Sequence, residues 1–285
     1  MKTYSMIETM TKVTRALIRY HGGKFKLAPW IIGHFPEHRV YVEPFGGAAS
    51  VLLKKERSAA EIYNDMDSEM VNLFRVVRDR GAELRKSLEL TPFSRDEFDL
   101  AWEQADDPLE RARRTIVRAA MGRDSASATM GRQSSFRLYA GDKRATTMQD
   151  WTNYPEALDA IIARLRGVAI ENQDALKVMS AYDGSDVLHY VDPPYVFSTR
   201  DETRSDYRHE LDDAGHERLL KFLATLKGMV VLSGYDCDLY GDLLPGWHKA
   251  SRKAFADGAR ERTEVLWLSP NCSEMGQDAP LFKAA

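Results

Sequence analysis

Apolar positions along the chain alternate between two periods. Short runs rich in β-branched and aromatic residues, as strands require, occur at Arg39–Glu43, about Ala60–Tyr63, Gly167–Ile170, Asp186–Val191 and Met229–Ser233. Helical spacing follows several of them. Ala48–Lys55 comes straight after the Gly46–Gly47 pair, giving a strand–turn–helix unit, and Met70, Val71, Leu73, Phe74 and Val77 mark the next helix. Leu219, Leu220, Leu223 and Leu226 form a stripe on a helix expected over Asp213–Leu226. Strands alternating with helices predict an α/β fold with a mainly parallel sheet. Trp247–Phe255 and Thr263–Leu268 flank the loop Ala256–Glu261 and predict an antiparallel hairpin at the sheet edge. Between about residues 75 and 167 the strand pattern stops. Helical segments there are broken by Pro92, Pro108 and a long polar stretch. The expected organisation is a sheet-forming domain made of 1–74 and 168–285, interrupted by a mainly helical insert, 75–167.

Composition narrows the function classes. Of 285 residues, 44% are hydrophobic and 29% charged, which suits a folded domain and not a disordered chain. The net charge of −3 excludes a uniformly basic nucleic-acid coat. One window stands apart: residues 111–144 carry nine Lys/Arg against Asp124 and Asp142, a local balance of +7. That asymmetry marks the insert as a candidate nucleic-acid surface, carried by Arg113, Arg114, Arg118, Arg123, Arg132 and Arg137, with Gln133 and Asn153 as polar candidates beside them. Cys237 and Cys272 lie in no metal-binding or disulfide pattern, so a reducing, cytoplasmic setting is expected. No run is long and apolar enough for a membrane span, and the first residues lack a signal-peptide pattern. The seven histidines show no HxxxH or HExxH spacing, so no metal is expected.

Two loops carry the candidate chemistry. Asp192-Pro193-Pro194-Tyr195 follows an apolar strand, and strand carboxyl ends are where open α/β sheets bind ligands. The prolines stiffen the loop and remove two backbone donors. What remains is a carboxylate and carbonyls, all acceptors, beside an aromatic ring. That set suits a planar substrate bearing an NH2 group. The acceptors take its hydrogens and turn the nitrogen lone pair towards an electrophile, while Tyr195 offers a stacking face. The other loop is Glu43-Pro44-Phe45-Gly46-Gly47, where glycines permit close backbone approach and the following helix N-terminus favours an anionic group. It is neither G-x-G-x-x-G nor a Walker loop. Asp65, ending the next strand, is placed to take ribose hydroxyls, with Asp67 as its rival or as a helix cap. Asp174 is a candidate for a purine amine or another helix cap. Tyr20-His21-Gly22-Gly23-Lys24 is a glycine turn flanked by an aromatic ring and a lysine.

In order, Gly22-Gly23-Lys24, Glu43–Gly47, Asn64-Asp65, a long insert and Asp192–Tyr195 resemble the Dam-type (alpha-class) DNA adenine methyltransferases, over about residues 18–74 and 168–268. The resemblance implies a seven-stranded, Rossmann-like methyltransferase sheet with an inserted target-recognition domain, and S-adenosyl-L-methionine as cofactor. It implies that Tyr20, Lys24, Glu43, Phe45, Gly46, Gly47, Asp65 and Asp174 surround that cofactor. Asp192 would border both cofactor and target adenine, and Pro193, Pro194 and Tyr195 would complete the catalytic loop. Arg252, Arg260 and Arg262 on the hairpin would touch DNA backbone. The partner implied is double-stranded DNA, with the adenine flipped out of the stack. The insert departs from the family pattern at Arg118–Phe136, so no target sequence is implied. Three alternatives stay open: a methyltransferase on another amine (cytosine N4, RNA adenine or protein glutamine), an inactive nucleic-acid-binding relative, and a nucleotide-dependent oxidoreductase.

Overall fold

The computed structural model describes residues 12–123, 134–137, 142–199, 207–255 and 261–274. In chain order its elements are α1 (Ala28–Ile32), β1 (Val40–Glu43), α2 (Ser50–Lys54), β2 (Ala60–Asn64), α3 (Ser68–Asp79), α4 (Gly81–Glu89), α5 (Arg95–Leu100), α6 (Pro108–Met121), α7 (Asp142–Thr152) and α8 (Tyr154–Leu165). There follow β3 (Val168–Glu171), α9 (Ala175–Tyr182), β4 (Val187–Val191), α10 (Asp213–Leu223), β5 (Met229–Gly234), α11 (Asp238–Leu243), β6 (His248–Phe255), β7 (Glu261–Leu268) and α12 (Asn271–Glu274).

The strands form one seven-stranded sheet in the order β3-β2-β1-β4-β5-β7-β6. β1 to β5 run parallel, with Val42 opposite Ile62 on one side and His189 on the other. β7 enters antiparallel beside β5, and β6 pairs with it along its whole length. The expected parallel sheet with an antiparallel hairpin is therefore what forms. β4 is buried along its entire length, as a strand covered on both faces must be. The strand order reverses between β1 and β4, and ligands in such sheets bind in the crevice beyond the carboxyl ends at that point. Glu43 and Val191 end the two strands that flank it.

The insert is helical and is welded to the sheet. α3 runs unbroken through residue 74 and packs on α6 and α8, and one continuous apolar cluster joins Tyr41 and Leu52 to Ile116 and Leu158. Polar ties reinforce it: Arg164 of α8 grips Glu61 of β2 with two bonds of 2.6 and 2.8 Å, and Trp151 donates to the Thr91 carbonyl at 2.8 Å. α6 begins where Asp107 caps the Glu110 N–H and Pro108 occupies the first turn, a position that needs no backbone donor.

Candidate active site

The glycine loop after β1 is a tight knot held by its neighbours. Gly47 and Ala49 both adopt left-handed backbone, at φ +47° and +51°. The Gly47 N–H donates to Asp65 Oδ2 at 2.7 Å, and the Tyr63 hydroxyl donates to the Gly47 carbonyl at 2.8 Å. A Cβ on Gly46 would lie 2.1 Å from the Tyr63 ring, and one on Gly47 would lie 2.8 Å from the Tyr20 ring. Both glycines thus seat tyrosine rings against the loop, a role their spacing alone did not reveal. Asn64 closes the back of the crevice: its amide donates to the Pro44 and Gln173 carbonyls and its oxygen accepts from Gln173 N–H, tying the ends of β1, β2 and β3 together.

Asp65 lies between this loop and α3. Its Oδ1 accepts from the Asp67 N–H at 2.7 Å. Burial pushes its carboxyl up to about 6. Each oxygen retains a second lone pair, so a diol remains within its chemistry. Asp67 caps α3 and pairs with Arg208 at 3.0 Å, which is the capping alternative. Asp174 likewise caps α9, accepting from Leu176 and Lys177 N–H, and stands exposed.

Glu43 is buried at the end of β1. It accepts from the Tyr41 hydroxyl at 2.7 Å and the Leu52 N–H at 3.0 Å. Burial outweighs both bonds and pushes its carboxyl up to about 8. Phe45 packs half-buried against the second apolar cluster of the sheet.

The four residues after β4 meet Lys24 from the N-terminal glycine turn. The buried Lys24 Nζ lies 3.2 Å from Asp192 Oδ1 and donates to the Gly22 carbonyl at 3.0 Å. The same ammonium sits over the Tyr195 ring, 4.6 Å from its centroid. Asp192 Oδ1 is buried and makes no aligned hydrogen bond, while the side chain as a whole keeps 17% exposure. Burial raises the Asp192 carboxyl, and the Lys24 charge opposes that rise. Pro193 is buried and Pro194 half-buried. Tyr20 stands half-buried at the mouth, its ring 6.3 Å from that of Tyr207.

Three residues near this loop carry no motif. The Tyr195 hydroxyl donates to Glu264 Oε2 at 2.7 Å and lies 3.2 Å from Ser233 Oγ, while the Tyr235 ring meets the Tyr195 ring edgewise at 4.5 Å. Glu264 had one faint signal in the sequence. It continues the Leu268, Leu266 alternation of β7 with an acid where an apolar residue belongs.

The arginines divide. Arg113 is buried and bound to Glu110, Glu97 and Thr91; Arg114 holds Glu110 and the Glu103 carbonyl; Arg118 donates to the Ala101 carbonyl and to Thr115. All three bind within the insert; Arg113 is buried, whereas Arg114 and Arg118 are half-buried and border an open pocket with Arg111 and Arg208. The +7 window began one residue after Glu110 and so missed the acids that answer it from α3, α5 and the first turn of α6. Arg123 and Arg252 are exposed, and Arg137 is half-buried beside the Gly122–Phe136 bridge. Arg262 donates to the Tyr235 hydroxyl at 3.0 Å. Arg132, Gln133 and Arg260 lie outside the described residues. Asn153 is exposed and accepts from Gln149 at 2.9 Å. No helix among the described residues is long and apolar enough to cross a membrane.

The set of groups fits a sulfonium nucleoside. Carboxylates at Asp65 and Asp192 suit a diol and a cationic centre, and the Ser50 hydroxyl at the start of α2 is buried without a partner. Residues 20–255 match the model of the D12 class N6 adenine-specific DNA methyltransferases. The chain is similar to the DNA adenine methylase of Serratia marcescens, 32% identical over 110 residues, which is 37% of this chain and 40% of that protein. It is similar to the Escherichia coli (strain K12) enzyme of the same name, 38% identical over 72 residues, 25% of this chain and 26% of the relative. A third DNA adenine methylase, from Vibrio cholerae, is 34% identical over 67 residues, 24% of each chain. The aligned segments thus span less than half of these curated relatives.

Proposed function

The chain belongs to the D12 class N6 adenine-specific DNA methyltransferases, and on that premise we propose that it transfers a methyl group from S-adenosyl-L-methionine to the N6 amine of an adenine flipped out of double-stranded DNA. The observation that carries this reading is the Asp192–Tyr195 corner. There a nitrogen cation, Lys24 Nζ, already rests on Asp192 Oδ1 and over the Tyr195 face. A nitrogen of the substrate entering the same corner meets the same carboxylate and the same ring.

The residues then divide the work. Tyr20, Lys24, Glu43, Phe45, Gly46, Gly47 and Asp65 form the cofactor side, with Asp65 accepting from the ribose hydroxyls. When bound, the cofactor supplies an electrophilic methyl whose C–S electron pair returns to sulfur as the N–C bond forms. Asp192 and the Pro193 carbonyl accept the amine hydrogens and expose the nitrogen lone pair, and Tyr195 stacks on the base. Lys24 must withdraw from Tyr195 to open that face. Burial raises Asp192 above the usual carboxylate range, which makes it a better acceptor for the proton that leaves the methylated nitrogen. Positioning supplies most of the acceleration. Residues 75–167, together with Arg123, Arg137, Arg252 and Arg262, are the parts we assign to the DNA. We place the activity in the cytoplasm.

The test is transfer of a labelled methyl group to duplex DNA, followed by mapping of N6-methyladenine in cells expressing the chain. Asp192→Ala is expected to lower methyl transfer at least about 100-fold, since it removes a positioned acceptor, with the fold retained by circular dichroism. Label on cytosine or protein instead of adenine, or near-normal turnover by the variant, overturns the reading.

A further inference from the structure

We infer that Glu264 is a positioning residue for the Tyr195 ring, fixing through a hydrogen bond to the phenol the place at which the target base stacks. The inference rests on the methyl-transfer reading and deepens it.

β7 alternates its side chains between the two faces of the sheet. Leu266 and Leu268 enter one apolar cluster, while Val265 and Trp267 enter the other. Glu264 shares the Leu266 face but carries a carboxylate there, at 9% exposure. A buried carboxylate is unfavourable unless it is bonded, so its partner matters. That partner is Tyr195, whose phenol donates to Oε2 at 2.7 Å. The strand register explains why the acid reaches the site. Val265 pairs with Gly234 and Leu266 with Ser233, so Glu264 lies just past the carboxyl end of β5. Ser233 Oγ stands 3.2 Å from the same phenol, giving it a second polar neighbour.

A tyrosine whose ring must stack has two freedoms, rotation about χ1 and about χ2. Anchoring the hydroxyl at the far end of the ring limits χ1. The oxygen lies on the χ2 axis, so rotation of the ring plane is limited by Tyr235, edgewise at 4.5 Å. The anchor also bears on DNA. Arg262, two residues along the same strand, donates to the Tyr235 hydroxyl at 3.0 Å. A hairpin shifted by DNA would therefore shift the atoms that hold the catalytic ring.

The experiment compares Glu264→Ala, Glu264→Gln, Tyr195→Phe and the double variant Glu264→Ala/Tyr195→Phe. It uses single-turnover methyl transfer on a duplex built around a mapped site, and the fluorescence of 2-aminopurine placed at the target adenine. Glu264→Ala and Tyr195→Phe are each expected to slow transfer about tenfold, and the double variant no more than the slower single one, because both remove the same bond. Glu264→Gln keeps an acceptor oxygen and is expected to recover most of the Glu264→Ala loss. Glu264→Ala is expected to brighten the bound 2-aminopurine by weakening its stacking. DNA and cofactor dissociation constants are expected to change less than about threefold, which a general loss of folding would not allow. Multiplicative losses in the double variant, or unchanged 2-aminopurine emission, overturn the inference while a working wild type upholds the methyl-transfer reading. A wild type that leaves adenine unmodified overturns that reading itself.

Discussion

Single residues in this protein are defined by the atoms they face. Glu43 shows it best. By sequence it is an acid in a loop, and a charged one at neutral pH. Buried against Tyr41 and Leu52, its carboxyl is pushed up to about 8 from an ordinary 4.5, so near neutrality it holds a proton. The folded state then binds that proton more tightly than the unfolded chain. Glu43 therefore contributes stability that is fully present below about 4.5 and is lost as the pH rises through about 8. The slope is at most about 1.4 kcal/mol per pH unit. Glu43→Gln, a neutral isostere, is expected to remove this slope. Urea unfolding at several pH values from 5 to 9 should show the variant gaining on the wild type as the pH rises; parallel curves would mean that the carboxyl titrates normally. Asp65, raised to about 6, adds a weaker trend of the same sign over a lower window, so the comparison is made between the two proteins and not on one alone.

At the scale of elements, the loop between β1 and α2 is the part whose shape the site depends on most. Its glycines matter because of what already occupies the space. A methyl group on Gly46 would meet Tyr63 ring carbons at 2.1 to 2.7 Å, and that ring is itself packed against Phe74, with centroids 4.4 Å apart. Neither ring can retreat. Gly46→Ala is expected to destabilise by roughly 1–3 kcal/mol or more, as overpacking does, and to weaken S-adenosyl-L-methionine binding, since the displaced loop pulls on the Gly47–Asp65 bond. Thermal unfolding and calorimetric titration measure both. An unchanged midpoint would show that the Tyr63 ring is free to move.

For the molecule as a whole, the question is where its positive charge goes. Much of it holds the insert together. Arg113, with 9% of its side chain exposed, is bonded to two carboxylates. Arg113→Ala leaves Glu97 without this partner while Glu110 keeps Arg114, and a loss of about 1–3 kcal/mol is expected, with the salt dependence of DNA binding unaltered. Arg252 on the exposed hairpin should behave in the opposite way. Arg252→Ala is expected to leave stability within about 0.5 kcal/mol and to reduce the slope of log K against log salt by about 0.9, the share of one phosphate contact. Measuring unfolding and salt titration on both variants separates the two kinds of arginine; equal slopes for Arg252→Ala and wild type would place the DNA off the hairpin.

The alternation of short apolar runs with helical stripes was enough to give the parallel sheet and its antiparallel edge, because burial on both faces leaves a short unbroken apolar run that any window of the chain displays. The loops at Glu43–Gly47 and Asp192–Tyr195 were legible for a similar reason: glycine and proline constrain the backbone whatever surrounds them. Packing settled everything that depends on a distant partner. Asp67 drew in Arg208. Lys24 came to rest on Asp192, from a turn far away in the chain. Glu264 was recruited from the last strand to hold Tyr195. The insert arginines found their counterions in helices outside the window that made them look unopposed. Charge acts through space and is screened or cancelled by whatever lies nearest, so a local sum along the chain shows where arginines are but leaves open which of them remain for DNA.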